Sequence, residues 1–201
     1  MKNLFFILVF IFSVSSHASA IRKRLLIIGD SLTEGYGVQK QDAFPNQLQI
    51  LLDQKNKNIE VISAGISGST SASAIKRLQW HMKKKPNILI LALGANDGLR
   101  GLKPEMTKKN LDQAIKLATS KGVLVYLAGM KLPLNYGQEY RLAFESTFSD
   151  LVKENKIKKI PFLLDGVGGR KDLNLDDGIH PNEKGHKIIA KYILKNIQES
   201  L

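Results

Sequence analysis

The sequence predicts an α/β protein, a three-layer α/β/α sandwich about a parallel sheet. Three observations carry this. Short unbroken apolar runs, such as Leu25-Leu26-Ile27-Ile28 and Ile88 to Leu93, suit strands buried on both faces. Stretches with apolar residues at helical spacing separate these runs. The alternation holds along the chain beyond residue 20, as βαβ crossovers require.

The first strand covers 24–28 and stops at Gly29-Asp30, where turn residues punctuate it. Phe44, Leu48, Leu51 and Leu52 recur at helical spacing, with Pro45 suited to a first turn. Ile59-Glu60-Val61-Ile62 reads as a second strand, and the small, polar Ser63 to Ser73 as a loop. A helix follows and ends near His81-Met82. The third strand is Ile88 to Leu93, closed by Gly94. Thr107 to Thr119 is helical, with Leu111, Ala114, Ile115 and Ala118 on one face and Gly122 as the stop. Val123 to Ala128 is the fourth strand and Gln138 to Asn155 a long helix. Ile160 to Leu164 is expected as a fifth, edge strand, because Pro161 cannot donate to a ladder. A last helix is expected from Pro181, with Ile188, Ile189, Tyr192 and Ile193 inward.

Residues 1–20 read as an export signal. Lys2 starts it, Leu4 to Val14 is apolar except for Ser13, and Ala18-Ser19-Ala20 is a small-x-small cleavage pattern. The apolar run is shorter than the ~20 residues that cross a bilayer. Cleavage after Ala20 is expected, leaving one domain over 21–201 in the periplasm or outside the cell. Cys is absent, which excludes disulfides, thiol nucleophiles and thiolate metal sites. The charge of +12, from 30 Lys+Arg against 18 Asp+Glu, comes from scattered lysines with no aromatic interleaving. That pattern argues against a nucleic-acid partner and for solubility with loose attraction to anionic membrane surfaces. A monomer is expected.

Parallel strands joined by right-handed crossovers place their carboxyl ends on one edge. The segments 29–35, 65–70, 94–101 and 176–181 can therefore meet. Ser31 follows the first strand, where such sheets put their ligand sites, although serines after strands also simply cap the next turn. Asp177 and His180 are three residues apart, with Gly178 permitting a tight turn and Pro181 biasing His180 toward extended backbone. A serine hydroxyl needs a base, and a carboxylate holds an imidazole in the right tautomer. Asp176 is a rival carboxylate; the i to i+3 geometry of Asp177 is the shorter. As plainer roles, Asp177 could form an Asx-turn and Asn96-Asp97-Gly98 a β-turn. Acyl transfer also needs donors aimed at an oxyanion. The Ser31 amide, the Gly68 amide and the Asn96 side chain are the candidates, each worth about 3 kcal/mol of barrier.

Gly29-Asp30-Ser31-Leu32, Gly68, Gly94-Ala95-Asn96-Asp97 and Asp177-Gly178-Ile179-His180 resemble, in order, the four sequence blocks of the SGNH (GDSL) hydrolases. Leu93 to Leu102 and Leu132 to Gly137 resemble the subgroup of bacterial acyl-CoA thioesterases, lysophospholipases and arylesterases. The likeness covers residues 24–197. It implies a flavodoxin-like sandwich with a five-stranded sheet and a serine esterase without metal or cofactor. It implies Ser31 as nucleophile, His180 as base, Asp177 as its orienter, and Ser31, Gly68 and Asn96 as the oxyanion hole. Asp30 is the family's usual serine-loop residue and is placed with the substrate-binding residues. Leu99, Leu102, Leu132 and Leu134 are the expected walls of an acyl groove. Ala95 stands where the subgroup often has Gly, which implies a stiffer 95–101 loop. The resemblance also implies the substrates, acyl esters or lysophospholipids. The alternatives are a carbohydrate or cell-wall O-acetyl esterase on the same fold, and a non-enzymatic binding module. His81 reads as a surface helix cap, and the histidines lack metal-ligand spacing.

Overall fold

The computed structural model describes residues 22–201. The expected export signal over 1–20 lies outside the described residues. In chain order the elements are β1 (Lys23–Gly29), α1 (Ser31–Glu34), α2 (Phe44–Gln54), β2 (Ile59–Gly65), α3 (Ala74–His81), β3 (Ile88–Ala92), α4 (Ala95–Leu99), α5 (Pro104–Ser120), β4 (Leu124–Ala128), α6 (Gln138–Asn155), β5 (Lys158–Ile160) and α7 (Glu183–Ile197).

All pairings in the sheet are parallel, in the order β2-β1-β3-β4-β5. Leu25 to Ile28 and Ile88 to Leu91 are buried on both faces of the sheet, which is why they read as continuous apolar runs. α2 packs against α7, while α3, α5 and α6 pack on one another. Right-handed crossovers put these two groups on opposite faces. The chain leaves β1 toward β2 on one side and passes from β2 to β3 on the other. The crevice between the carboxyl ends of β1 and β3 is thus the switch point where such sheets bind ligands.

The helix expected from Thr107 starts at Pro104, the third strand ends at Ala92 and the fourth starts at Leu124, and three further boundaries differ for a local reason. β2 continues through the small residues to Gly65, because α1 crosses it closely: a Cβ at Gly65 would sit 2.1 Å from the Glu34 amide nitrogen. β5 is Lys158–Ile160, not 160–164. Pro161 ends the pairing for lack of an N–H, and the apolar residues after it turn back, with the Leu163 amide donating to the Gly129 carbonyl at 3.0 Å. The last helix starts at Glu183. Pro181 instead forms an antiparallel bridge with Asn174, and the Asn182 side chain caps the helix by accepting from the Lys184 and Gly185 amides.

Candidate active site

β1 ends at Gly29, and the buried Asp30 caps α1 by accepting from the Leu32 amide at 3.1 Å. Ser31 is therefore the first residue of a short helix, where the backbone N–H has no intrahelical partner. At the other end of the chain, Asn174 and Pro181 bridge across a tight hairpin in which the Leu175 amide donates to the His180 carbonyl at 2.8 Å. This hairpin sets His180 against Ser31: Nε2 lies 2.9 Å from Oγ. His180 Nδ1 lies 2.7 Å from Asp177 Oδ2. With the Nδ1 proton held by the carboxylate, Nε2 is the acceptor for the serine hydroxyl.

Asp177 fills both of the roles considered for it. Its Oδ1 accepts from the Ile179 and His180 amides, each at 3.0 Å, which is an Asx-type turn, while Oδ2 takes the imidazole. Partial burial pushes its carboxyl up, but the His180 amide, the imidazole and the Ile179 amide together hold it below the usual range. Asp176 makes no contact with the ring among the hydrogen bonds of this hairpin. Tyr36 leans over the His180 imidazole, with ring centroids 4.6 Å apart and planes inclined at 40°.

The Asn96-Asp97-Gly98 segment is the short helix α4, not a simple turn. Asn96 Nδ2 donates to the Ser69 carbonyl at 3.1 Å and lies 3.4 Å from Asp30 Oδ2. Gly68 occupies the third position of a turn closed by the Ser69 amide and the Ile66 carbonyl, at φ +73°, territory that glycine favours. Asp97 was not singled out by the sequence reading. It is buried and staples two loops together: its carboxylate accepts from the Ser71 amide at 2.8 Å, the Ser71 hydroxyl, and the Thr107 hydroxyl at 3.2 Å. The polar residues just after β3 were its signal, since a carboxylate at a buried strand end needs donors.

Ser31, Asn96 and His180 line a groove of about 420 Å³, within the range of small-molecule sites. Leu99, Leu132 and Leu134 line it as expected, and Phe162, Leu164 and Ile179 join them. Leu102 does not. Gly101, at φ +65°, turns the chain outward after α4, leaving the Leu102 side chain in solvent and its carbonyl accepting from the Tyr140 hydroxyl at 2.7 Å. Gly68 borders the neighbouring turn and is not part of the groove lining. Asp30 lines the groove but is only 1% exposed, and its oxygens face the Leu32 amide and Asn96. Those bonds tie it to the serine loop and to α4. Burial raises its carboxyl to about 6, against the lowering effect of the Leu32 amide. Among the described residues no cluster of His, Cys, Asp or Glu could hold a metal ion. His81 is half-buried at the end of α3, its Nδ1 without a hydrogen-bond partner, rather than a surface cap.

The class is now defined: a doubly wound α/β protein with a hydrogen-bonded serine, imidazole and carboxylate at the carboxyl edge of its sheet. The chain belongs to the GDSL-like Lipase/Acylhydrolase family, whose model matches residues 27–188. It is a hydrolase of ester bonds. It is 32% identical over 196 residues to the arylesterase of Vibrio mimicus, covering 97% of this chain and 96% of that protein. It is 35% identical over 181 residues to thioesterase 1/protease 1/lysophospholipase L1 of Escherichia coli strain K12, covering 90% and 86%. The crystal structure of the psychrotrophic esterase EstA from Pseudoalteromonas, inhibited by monoethylphosphonate, superposes with a TM-score of 0.85 at 31% identity, covering 89% of this chain and 98% of that one.

Proposed function

We propose that the protein is an exported serine esterase that hydrolyses carboxylic esters and thioesters of fatty acyl groups through an acyl-enzyme. The observation that carries this reading is the continuous chain Asp177–His180–Ser31, 2.7 Å and 2.9 Å long in its two links, opening onto an apolar groove. His180 Nε2 takes the Ser31 proton as Oγ attacks the acyl carbonyl, and Asp177 steadies the imidazolium. The Ser31 amide, the Gly68 amide and Asn96 Nδ2 receive the oxyanion. Protonated His180 then passes its proton to the leaving alcohol or thiol. A water deprotonated by the same nitrogen releases the acid from Ser31.

The groove takes the acyl chain, which disfavours the O-acetyl esterase reading: an acetyl group would leave most of its apolar wall unfilled. The expected export signal points to a periplasmic or secreted site of action. Coenzyme A thioesters belong to the cytoplasm, so lysophospholipids and other acyl esters are the natural substrates. The protein acts as a monomer.

Ser31→Ala tests this. It abolishes turnover of short-chain p-nitrophenyl esters and covalent labelling by a fluorophosphonate, while circular dichroism stays that of the parent. Unchanged turnover overturns the assignment.

A further inference from the structure

Nine large apolar side chains stand exposed among the described residues, and their placement is not random. Tyr36, Ile66, Leu102, Leu134 and Ile179 each stand on the segment that follows a different strand, in the order β1 to β5. Met106 and Leu142 lie in the first two turns of α5 and α6, at the same edge of the sheet. The remaining two, Ile50 and Trp80, lie in the body of α2 and near the far end of α3. Seven of the nine thus stand as a rim at the carboxyl edge of the sheet, the edge on which the groove opens. Leu134, at 80% exposed, and Ile179 belong to both rim and groove lining.

A clustered apolar rim of this kind marks an interaction surface. Its occupant follows from its continuity with the groove. A protein seated on the rim would close the mouth through which acyl chains pass. A lipid aggregate would cover the same side chains and deliver acyl chains directly into the groove. We infer that the rim docks the enzyme on the surface of a phospholipid bilayer or micelle, so that substrate enters the groove from the aggregate without crossing water. The inference rests on the esterase reading of the same site for its substrate, but not for the docking itself. Charges of both signs flank these side chains, Lys103 and Glu105 beside Leu102 and Met106 and Arg141 beside Leu142, so the docking is assigned to the apolar groups and neutral lipid suffices.

The test uses the Ser31→Ala protein, which cannot consume its lipid, and flotation with vesicles of phosphatidylcholine alone or mixed with phosphatidylglycerol. The parent floats with both. Ile66→Glu, Met106→Glu and Leu142→Glu together weaken partitioning by about tenfold or more, since each leucine-sized side chain withdrawn from a lipid surface removes a gain of that order. The same three changes in the active protein leave turnover of a soluble short-chain ester within about twofold, because none of the three lines the groove. Ile50→Glu with Trp80→Glu leaves partitioning unchanged. The proposal is overturned if the parent does not float, if the rim variant floats as the parent does, or if flotation needs phosphatidylglycerol and is abolished by salt, which would assign it to the scattered lysines. Rim-dependent flotation by a protein with no ester turnover would instead overturn the catalytic reading and leave the docking surface standing.

Discussion

The Phe44 amide, at the start of α2, donates at 3.2 Å to Nδ1 of His186, which lies 142 residues later on the buried face of α7. This bond ties the helix that follows the His180 hairpin to the helix that follows the serine loop. Because Nδ1 accepts, Nε2 carries the proton, and it has no hydrogen-bond partner. Burial accordingly lowers the imidazole to about 4, with smaller opposing and supporting effects from Asp42 and His180.

This predicts two opposed contributions to acid stability. For His186 the folded value, about 4, lies below the unfolded 6.5, so the unfolded chain binds the extra proton between them. That contribution is present above pH 6.5 and is lost as pH falls toward 4. For Asp30 the folded value, about 6, lies above the unfolded 3.8, so the folded chain binds the extra proton. Its contribution is present below 3.8 and is lost as pH rises toward 6. Each is of order 3 kcal/mol, and between pH 4 and 6 they oppose. Urea unfolding of the parent is therefore nearly flat over that window. His186→Gln leaves a stability that falls with rising pH, and Asp30→Asn one that falls with falling pH. Parallel curves for all three proteins would refute the assignment.

The two neighbouring carboxylates are separable by kinetics. Asp177→Asn keeps the turn but no longer holds the imidazole proton on Nδ1, and loss of about 10³–10⁴-fold in kcat is expected. Asp176→Asn changes kcat less than about twofold, in keeping with an exposed side chain that does not touch the ring. Equal losses in the two variants would overturn the choice of Asp177.

Much of this site was legible in the sequence because each part carries a local signal, although the parts lie far apart and only the parallel-strand topology brings them together. Asp177 and His180 are three residues apart, and Ser31 stands directly behind an apolar strand. The groove was only half legible. Leu99, Leu132 and Leu134 lie in apolar segments after strands, but Phe162 and Leu164 belong to a run that reads as strand until Pro161 stops the pairing. Leu102 belongs to such a segment too, and only the positive φ at Gly101 turns it away. His186 was readable in principle: with Ile189, Ala190, Ile193 and Ile197 it completes the buried stripe of α7. A histidine on such a stripe needs a buried partner, which the sequence does not name.

Asn96 and Asp97 are adjacent, and their variants are predicted to fail differently. Asn96→Ala removes the Nδ2 donor that the proposed mechanism gives to the oxyanion, and kcat is expected to fall about 10²–10³-fold with little change in melting temperature. Asp97→Ala strands the Ser71 amide and hydroxyl and the Thr107 hydroxyl without their acceptor. Loss of about 3 kcal/mol of stability is expected, and the melting temperature falls measurably. The opposite pattern, with Asn96→Ala unstable and Asp97→Ala merely slow, would mean that the roles are exchanged.

Acyl-chain preference tests the shape of the groove. Leu132 is buried, lines the groove and fills the space beside Gly98: a Cβ added there would meet its Cδ2 at 2.6 Å. Leu164 lines the groove from the segment after β5. Leu164→Trp occupies groove volume, so kcat/KM for long-chain p-nitrophenyl esters falls about tenfold or more while that for the acetate or butyrate holds. Leu102→Trp, outside the groove, leaves the whole chain-length profile in place. Gly98→Ala forces α4 off Leu132 and should move every chain length together, through the position of Asn96 two residues before it. A profile altered by Leu102→Trp and untouched by Leu164→Trp would place the acyl chain on the other side of α4.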